Sequence, residues 1–311
     1  MGQARFWAAL MAVAVAGAMP AAASDASFGR APVGKIAFAS TEHNPLFDIW
    51  TMNADGAGRL NLTPGRPEDD LQPSWSPDGS RIAFLSISTD GNWDIWVMNA
   101  DGSDLRRITT DPARDSNPAY SPNGKKIVFR SERSGNSDIW VMNADGSRAR
   151  RLTDDPSFEG HPDYSPDGKR IVFDRQPPTA LFTMTDEGRK VRQITPDSLF
   201  ALDAAWSPHG NRLVFTNGFC GPCVFNDLVT SDPKGKRIVQ LTNDTGGPFN
   251  FNATWSPDGS KIVFDSRISF DSPGDLHVIN ADGSGRTNIT MTPEIFEATP
   301  DWWGPVGTHD K

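Results

Sequence analysis

The amino-acid sequence predicts an all-β protein, a six-bladed β-propeller with four short strands in each blade. Three observations predict this fold. A Trp-Ser-Pro-Asp-Gly turn recurs at intervals of 42 to 49 residues, an alternating apolar run follows each turn, and a Leu-Thr or Ile-Thr pair closes each unit. Repeats of this length are typical of propeller blades or helical arrays. Turns rich in proline and glycine between β-branched and aromatic runs favour the propeller.

The recurring turn begins at an aromatic residue and joins two strands. In the first full copy, Pro77 presets the backbone for the second position of a type I turn, and Gly79 accepts the left-handed conformation that ends it. The turn therefore marks where the first strand of each blade ends. The aromatic residues of the full copies are Trp75, Tyr120, Tyr164, Trp206 and Trp255, and a truncated copy contains Trp302.

The run after each turn predicts the second strand of a blade. β-Branched and aromatic residues crowd into four positions, as in Arg81-Ile82-Ala83-Phe84, which favours a strand over a helix. A third strand of the form Asp-Ile-Trp-Val-Met leads into an Asn-Ala-Asp-Gly hairpin turn, and the Leu-Thr pair supplies a fourth strand. The sequence predicts six blades because the second strand has six copies, which begin at Lys35, Arg81, Lys126, Arg170, Arg212 and Lys261.

The phase of the repeats predicts how the ring closes. The chain enters the first blade at Lys35 on a second strand, whereas the segment from Thr299 to Trp303 is a first strand without a following partner. We therefore expect the C-terminal strand to complete the first blade, which removes the open sheet edges of a linear array. The predicted propeller spans residues 34–304, and residues 305–311 form a tail.

The first 23 residues read as a secretory signal peptide. Arg5 gives a short basic region, an apolar run from Phe6 to Met19 follows, and Ala21 to Ala23 form a small-residue cleavage site. Residues 24–33 are a short linker. Later segments fall short of the roughly 20 apolar residues that cross a bilayer. We therefore expect a periplasmic or secreted protein without membrane insertion.

The charge balance limits the class of partner. The formal net charge is −9, and loss of Arg5 with the signal peptide makes it about −10. Nucleic acid is an unfavourable partner because phosphate binding needs a concentrated basic face. A basic peptide or a cation is more compatible, and the length fits one globular domain that we expect to be monomeric.

Together these motifs resemble the propeller repeats of the bacterial TolB-type family, whose repeats are also described as WD40-like or PD40. The resemblance covers roughly residues 34 to 303. TolB proper carries an α/β domain ahead of its propeller, whereas only residues 24–33 lie between the signal peptide and the first blade here. The resemblance implies a six-bladed scaffold that binds another protein at the channel mouth, as TolB-like propellers bind the Pal lipoprotein.

Equivalent positions of the first strands predict the binding site. Two positions of each first strand are polar or acidic, and six-fold repetition would place them as a polar ring and an acidic ring at one end of the channel. The carboxylates there could accept Lys or Arg side chains of a protein or peptide partner. Such a partner would come from the cell envelope or from outside the cell. Equally, polar residues there could simply solvate loop ends. The position before the recurring proline, or before the alanine that replaces it, holds Gln72, Asn117, His161, Asp203, Asn252 and Thr299. Two positions earlier, the carboxylates are Asp70, Asp115, Glu159 and Glu297.

The same mouth supports an alternative function. His161, Glu159 and Asp203 are a minimal set of ligands for a divalent-metal enzyme of the lyase or lactonase type, and clustered carboxylates could hold Ca²⁺ in a stabilised scaffold. We do not assign a metal site or a catalytic residue from the sequence. A Gly-x-Ser-x-Gly nucleophile motif is missing from the sequence, which argues against a serine hydrolase.

Cys220-Gly221-Pro222-Cys223 is the one sharp motif outside the repeat. It is similar to the thioredoxin active site, where a helix N-terminus activates the first cysteine. Here the motif falls between two predicted strands, and the compartment is oxidising. We therefore expect a structural disulfide between Cys220 and Cys223, with a redox role as the alternative.

Overall fold

The computed structural model of the 311-residue chain describes residues 34–220, 223–244, 247–269 and 271–305. These residues form six four-stranded antiparallel sheets, so the prediction of an all-β, six-bladed propeller is confirmed. The predicted signal peptide (1–23), the predicted linker (24–33) and residues 306–311 of the predicted tail lie outside the described residues. Within the described part of the chain, no helix combines the length and apolar character that a membrane span requires.

The first three blades contain the following strands. Blade 1 consists of β1 (Lys35–Ser40), β2 (Asp48–Asn53), β3 (Leu60–Asn61) and the C-terminal β24 (Glu297–Trp303). Blade 2 consists of β4 (Asp69–Trp75), β5 (Arg81–Ile87), β6 (Trp93–Asn99) and β7 (Arg106–Arg107). Blade 3 consists of β8 (Asp115–Tyr120), β9 (Lys126–Ser131), β10 (Asp138–Asn143) and β11 (Arg150–Arg151).

The other three blades repeat this order, and a 3₁₀ turn at Asp197–Leu199 precedes blade 5. Blade 4 consists of β12 (Phe158–Tyr164), β13 (Arg170–Gln176), β14 (Ala180–Thr185) and β15 (Arg192–Gln193). Blade 5 consists of β16 (Ala201–Trp206), β17 (Leu213–Cys220), β18 (Cys223–Ser231) and β19 (Val239–Gln240). Blade 6 consists of β20 (Phe249–Trp255), β21 (Lys261–Arg267), β22 (Gly274–Asn280) and β23 (Thr287–Asn288).

Blade 1 combines the first three strands of the propeller with its last strand. Strand β24 pairs antiparallel with β1, with Ile36 opposite Trp302 and Lys35 opposite Trp303. The prediction that the C-terminal strand completes the first blade is therefore confirmed. Because β24 pairs with β1 on its channel side, β1 is not left as an open edge.

The core consists of apolar clusters between neighbouring blades. One cluster joins Phe38 and Trp302 of blade 1 to Val263 and Leu276 of blade 6, and each of the other pairs of adjacent blades has a similar cluster. Burial of each large side chain contributes about 1.5–3 kcal/mol. One position of the second strand is a fully buried phenylalanine in every blade, at Phe38, Phe84, Phe129, Phe173, Phe215 and Phe264.

The closing threonine of each repeat has a structural role in the outer strand. That strand is only two residues long and ends just before the Leu-Thr or Ile-Thr pair, so the prediction that the pair itself forms the fourth strand is wrong in its position. In blade 2 the Thr109 hydroxyl accepts a hydrogen bond of 2.9 Å from the backbone N–H of Ile95 on β6, and Thr153 does the same for Ile139 in blade 3. A side chain thus continues the pairing where the backbone ladder stops.

Each innermost strand contains a β-bulge. In blade 2, Leu71 and Ser74 pair with Leu85 and Ala83, so that Gln72 and Pro73 both face the single residue between those partners. A proline is tolerated in an inner strand at such a bulge because the missing N–H is not needed by the ladder. The bulge therefore redirects the side chain of the residue before the proline.

Candidate binding site in the central channel

The six residues predicted for the first polar ring share one backbone conformation. Each is a non-glycine residue with a positive φ, between 47° and 56°. Such values are uncommon outside glycine and cost energy. All six side chains line one cavity on the propeller axis, and they are Gln72, Asn117, His161, Asp203, Asn252 and Thr299.

The cavity is small, and its lining is about equally polar and apolar. Its volume is about 160 Å³. In each blade it is lined by the ring residue and the next two residues. We call the third of these the floor residue. The six floor residues are Ser74, Ala119, Asp163, Ala205, Thr254 and Asp301.

Hydrogen bonds between neighbouring blades fix part of the ring. Thr299 Oγ1 accepts a bond of 3.1 Å from the N–H of Gln72, and Gln72 Oε1 accepts one of 2.9 Å from the N–H of Asn117. Asp203 Oδ2 accepts a bond of 2.8 Å from the N–H of Asn252. Each of these side chains therefore satisfies the backbone of the next blade.

In blades 4 and 6, a buried aspartate on the second strand, and not the ring side chain, accepts the backbone N–H of the next blade. Asp174 Oδ1 lies 2.7 Å from His161 Nδ1 and accepts a bond of 3.3 Å from the N–H of Asp203. Asp265 Oδ1 accepts bonds from Asn252 Nδ2 at 2.6 Å and from the N–H of Thr299 at 3.3 Å. Neither aspartate was predicted from the sequence, although each follows the buried phenylalanine of its blade, where an acid is unexpected.

The partner of His161 determines its charge. Burial lowers the pKa of His161, but the Asp174 carboxylate at 2.7 Å outweighs burial and raises it to about 9. The imidazolium in turn outweighs the effect of burial on Asp174 and lowers the pKa of that carboxyl. The pair is therefore ionised at neutral pH and has no net charge.

Two of the floor residues are carboxylates, and they belong to opposite blades of the ring. Asp163 belongs to blade 4 and Asp301 to blade 1, three blades away around the ring. Asp163 accepts a bond of 2.8 Å from the N–H of Trp206, and Asp301 one of 2.7 Å from the N–H of Trp75. Burial, with a smaller contribution from the Asp301 carboxylate, raises the pKa of Asp163 to about 7. Burial raises the pKa of Asp301 to about 6.

The second predicted set, the acidic ring, is absent from the residues that line the cavity. Its members are buried and ion-paired with arginines. Asp70 lies 2.9 Å from Arg66, Asp115 lies 2.6 Å from Arg133, and Glu159 lies 2.7 Å from Arg175. Glu297 pairs with Arg59. The prediction of an acidic ring at the channel is therefore wrong, because these four carboxylates are neutralised by guanidinium groups beside the channel.

These arginines also stack on aromatic rings of the blades. The guanidinium of Arg66 lies 4.5 Å from the ring centre of Trp96, and that of Arg133 lies 4.9 Å from Trp140. Arg175 lies 4.4 Å from Phe182. The carboxylate, the guanidinium and the ring thus form a structural unit within the blades.

The three residues of the alternative metal set have other partners. His161 is bound to Asp174, and Glu159 Oε1 accepts a bond of 2.9 Å from Arg175 Nε. Asp203 accepts the N–H of Asn252. Among residues 34–220, 223–244, 247–269 and 271–305, no three His, Cys, Asp or Glu side chains are grouped so that they could hold a metal ion.

The two cysteines lie at the tip of the β17–β18 hairpin. Their backbones occupy opposite positions in the strand register. Their side chains and residues 221–222 lie outside the described part of the chain, so the disulfide stays a prediction.

Comparison with known proteins gives one family and a shared fold. The model of the PD40 family, the TolB beta propeller domain, matches residues 34–173 and 116–306. No curated protein matches the chain. TolB from Acinetobacter baumannii is 21% identical with a TM-score of 0.74, and the match covers 86% of this chain and 66% of that one. A putative TolB from Agrobacterium tumefaciens is 17% identical with a TM-score of 0.67, covering 87% and 99%. An oligogalacturonate lyase in complex with manganese is 15% identical with a TM-score of 0.57, covering 82% and 73%.

Proposed function

The chain belongs to the TolB beta propeller domain family, and from this membership and the axial cavity we propose that it is a scaffold that binds a protein or peptide partner at the channel. The observation that carries the proposal is the pair of floor carboxylates, Asp163 and Asp301, in a small cavity ringed by six polar side chains. A basic side chain of the partner, from lysine or arginine, enters the cavity between them.

The size of the cavity favours one inserted side chain over a small-molecule substrate. Sites for small molecules enclose about 300–1,000 Å³, whereas this cavity encloses about 160 Å³. That volume suits the end of a lysine or arginine side chain, while the rest of the partner rests on the surrounding surface. The family resemblance, which implies protein binding at the channel mouth, supports the same function.

The charge of the cavity selects a cation. The His161–Asp174 pair has no net charge, so the negative charge of the lining comes from the ionised forms of Asp163, Asp301 and Asp203, whose pKa values burial raises. An ammonium or guanidinium group between Asp163 and Asp301 would lower the pKa of both carboxyls and hold them ionised. Complementary charge of this kind gives specificity more than bulk affinity.

We propose that the protein acts in the periplasm or outside the cell, as the predicted signal peptide and the TolB family indicate. N-terminal sequencing of the protein recovered from fractionated cells tests this location. The expected N-terminus lies after Ala23, and a cytoplasmic protein that retains Met1 would contradict the proposal.

Peptide selection tests the channel proposal. We expect the peptides that bind the purified protein to contain an essential lysine or arginine. Replacing that residue by norleucine removes the cation and should therefore weaken binding. The double variant Asp163→Asn/Asp301→Asn should lose at least tenfold in affinity for them, because it keeps the size and hydrogen-bonding oxygens of the floor but removes its charge.

A matched control separates the floor from overall charge. Asp78→Asn/Asp258→Asn also removes two carboxylates, but on the turn side of the propeller. Blade 3 has Asn123 at the equivalent turn position, so this variant should fold and bind normally. The proposal is wrong if selected peptides bind without a basic residue, or if both double variants lose affinity equally.

A further inference from the structure

The outer rims of blades 4 and 5 carry two similar runs of exposed residues. Every residue from 189 to 193 is exposed, as is every residue from 236 to 240. In both runs two bases precede an aliphatic residue, as Arg189-Lys190-Val191 and as Lys236-Arg237-Ile238. We call the two runs, with Lys234, the basic rim.

The equivalent turns in the other blades differ, which shows that the fold does not need the basic rim. The corresponding triplets are Ala57-Gly58-Arg59 in blade 1, Ser103-Asp104-Leu105 in blade 2, Ser147-Arg148-Ala149 in blade 3 and Ser284-Gly285-Arg286 in blade 6. Two of these turns have glycine at the middle position, where the backbone φ is positive in all six blades. Lys190 and Arg237 therefore occupy a position that favours glycine, with φ of 56° and 54°.

The two runs lie next to each other in space. The β18–β19 turn packs closely on the end of β15, since a Cβ atom on Gly235 would lie 1.9 Å from the backbone oxygen of Ile194. This contact places Lys234 and Lys236 beside the strand that contains Arg192. The basic rim is therefore one continuous surface across two blades.

The bases of this surface outnumber the acids that border it. The two turns contain three acids, Asp186, Glu187 and Asp232, and two more, Asp197 and Asp227, accept hydrogen bonds from Gln193 and Gln240 of the basic rim. The six bases are Arg189, Lys190, Arg192, Lys234, Lys236 and Arg237. Within the described residues, the one ion pair of these groups joins Arg189 and Glu187 at 3.2 Å, and both side chains are exposed. Asp232 accepts the backbone N–H groups of Lys234 and Lys236. The arginines beside the channel, by contrast, are ion-paired with buried carboxylates.

Three aliphatic side chains lie exposed among these bases. The exposed fraction is 40% for Val191, 42% for Ile238 and 46% for Val239. A surface that combines clustered lysine and arginine with exposed aliphatic groups suits the interface of an anionic bilayer, where the bases meet lipid headgroups and the aliphatic groups reach the acyl boundary. Nucleic acid would favour aromatic side chains on which its bases stack.

We propose that the basic rim of blades 4 and 5 docks the protein on a membrane surface rich in anionic lipid. The docking is peripheral, and no segment of the propeller crosses the bilayer. It is separate from the axial cavity, because the basic rim lies at the outer edge of the blades. The channel therefore stays open to a partner while the protein is on the membrane.

Vesicle flotation of the purified protein tests the proposal. We expect binding to vesicles of phosphatidylcholine mixed with phosphatidylglycerol and much weaker binding to vesicles of phosphatidylcholine alone. The second measurement is also a control, because attachment through the apolar N-terminal segment would occur on both kinds of vesicle. The Lys190→Gly/Arg237→Gly variant should weaken binding more than tenfold, since each base near an anionic surface contributes about fivefold. Both substitutions introduce the residue found in blades 1 and 6, so the variant should fold. Salt at about 1 M should also release the protein.

Two further variants make the test specific. Lys35→Ser/Lys125→Ser removes the same charge away from the basic rim and should bind as well as the unsubstituted protein. Val191→Ala/Ile238→Ala, which introduces the alanine of blade 3, should weaken binding without changing the charge. The proposal is overturned if the protein ignores phosphatidylglycerol, if the two double charge variants weaken equally, or if the alanine variant binds fully. A soluble polyanion that binds the basic rim as tightly as the vesicles do would instead identify a non-lipid partner.

Discussion

At the residue scale, the proposed function depends on Asp163 and Asp301. Both carboxylates lie in the cavity, and each accepts a hydrogen bond from a backbone N–H of the next blade. Burial raises the pKa of each above its ordinary value. A pair of carboxylates that is costly to ionise alone is well suited to a cationic ligand, which repays that cost on binding.

This raised pKa predicts how Asp163 affects stability. A carboxyl whose folded-state pKa is about 7 and whose ordinary value is 3.8 favours folding when it is protonated, so its contribution falls as the pH rises from about 4 to 7. At pH 8, the free energy of unfolding of Asp163→Asn should therefore exceed that of the unsubstituted protein by about 1–2 kcal/mol, after allowance for solvent in the channel. Urea unfolding measures this difference. The difference should shrink toward pH 4.

Asp167→Asn is the control for this measurement. Hydrogen bonds from Ser165 and from the N–H of Lys169 lower the pKa of Asp167, so loss of its charge should not stabilise the protein at pH 8. If Asp163→Asn were no more stable than the unsubstituted protein at pH 8, burial of an unfavourable charge at the floor would be contradicted.

The sequence predicted the ring residues but missed the floor. Position relative to the recurring proline was enough to find Gln72 and its equivalents. The floor residues were not found because alternation along a strand breaks at a bulge, and the bulge decides which side chains face the axis. The arginine partners of Asp70, Asp115 and Glu159 were missed because they come from loops and strands at unequal repeat positions.

At the scale of the element, the bulge of each inner strand positions the ring. Thr299 is the most strained member, because a β-branched residue rarely adopts its φ of 51°. Its hydroxyl nevertheless accepts the N–H of Gln72 at 3.1 Å and so connects blades 1 and 2. The ring therefore combines a backbone cost with a hydrogen bond that offsets it.

Substitutions at Thr299 should separate these two effects. Asparagine tolerates a positive φ and keeps an acceptor, so Thr299→Asn should raise the free energy of unfolding by about 0.5–1 kcal/mol. Thr299→Val keeps the branched shape but loses the acceptor and should lower it by about 1 kcal/mol. Urea unfolding measures both. Equal stability of the two variants would mean that neither the strain nor the Gln72 bond matters.

Turns and strands were the most predictable elements. Ser, Pro, Asp and Gly of each first turn serve local bonds, for example Ser76 to Asp78 at 2.6 Å and the N–H of Ser80 to Asp78 at 3.0 Å. Such contacts depend only on neighbours in sequence, so composition reveals them. The Leu-Thr and Ile-Thr pairs predicted a fourth strand in each blade but not its position, because each strand occupies the two residues before the pair, as Leu60–Asn61 does before Leu62 and Thr63. The bond of the threonine to the third strand was not predicted.

At the scale of the whole molecule, closure makes the ring cooperative. Strand β24 joins residues separated by most of the chain and packs Trp302 into the cluster between blades 1 and 6. A blade closed this way cannot open without exposing the neighbouring clusters. The C-terminal strand should therefore be as stable as the central strands, unlike an ordinary chain end.

Hydrogen exchange tests this cooperativity. We expect the amides of Ala298 and Trp302 to exchange as slowly as those of Val172 in blade 4, through global unfolding only. Amides of the exposed tip around Gly91 serve as the fast reference. Rapid exchange along β24, with slow exchange in blade 4, would show that blade 1 opens on its own.

The pH dependence of peptide affinity is the sharpest test of cation recognition at the channel floor. A selected peptide with one essential lysine should bind the unsubstituted protein more tightly as the pH rises from 5 to 8, because Asp163 and Asp301 lose their protons near pH 7 and 6. The Asp163→Asn/Asp301→Asn variant should bind weakly, with an affinity that does not change over this range. An affinity that is independent of pH in the unsubstituted protein, or the same rise in the variant, would contradict recognition of a cation by the channel floor.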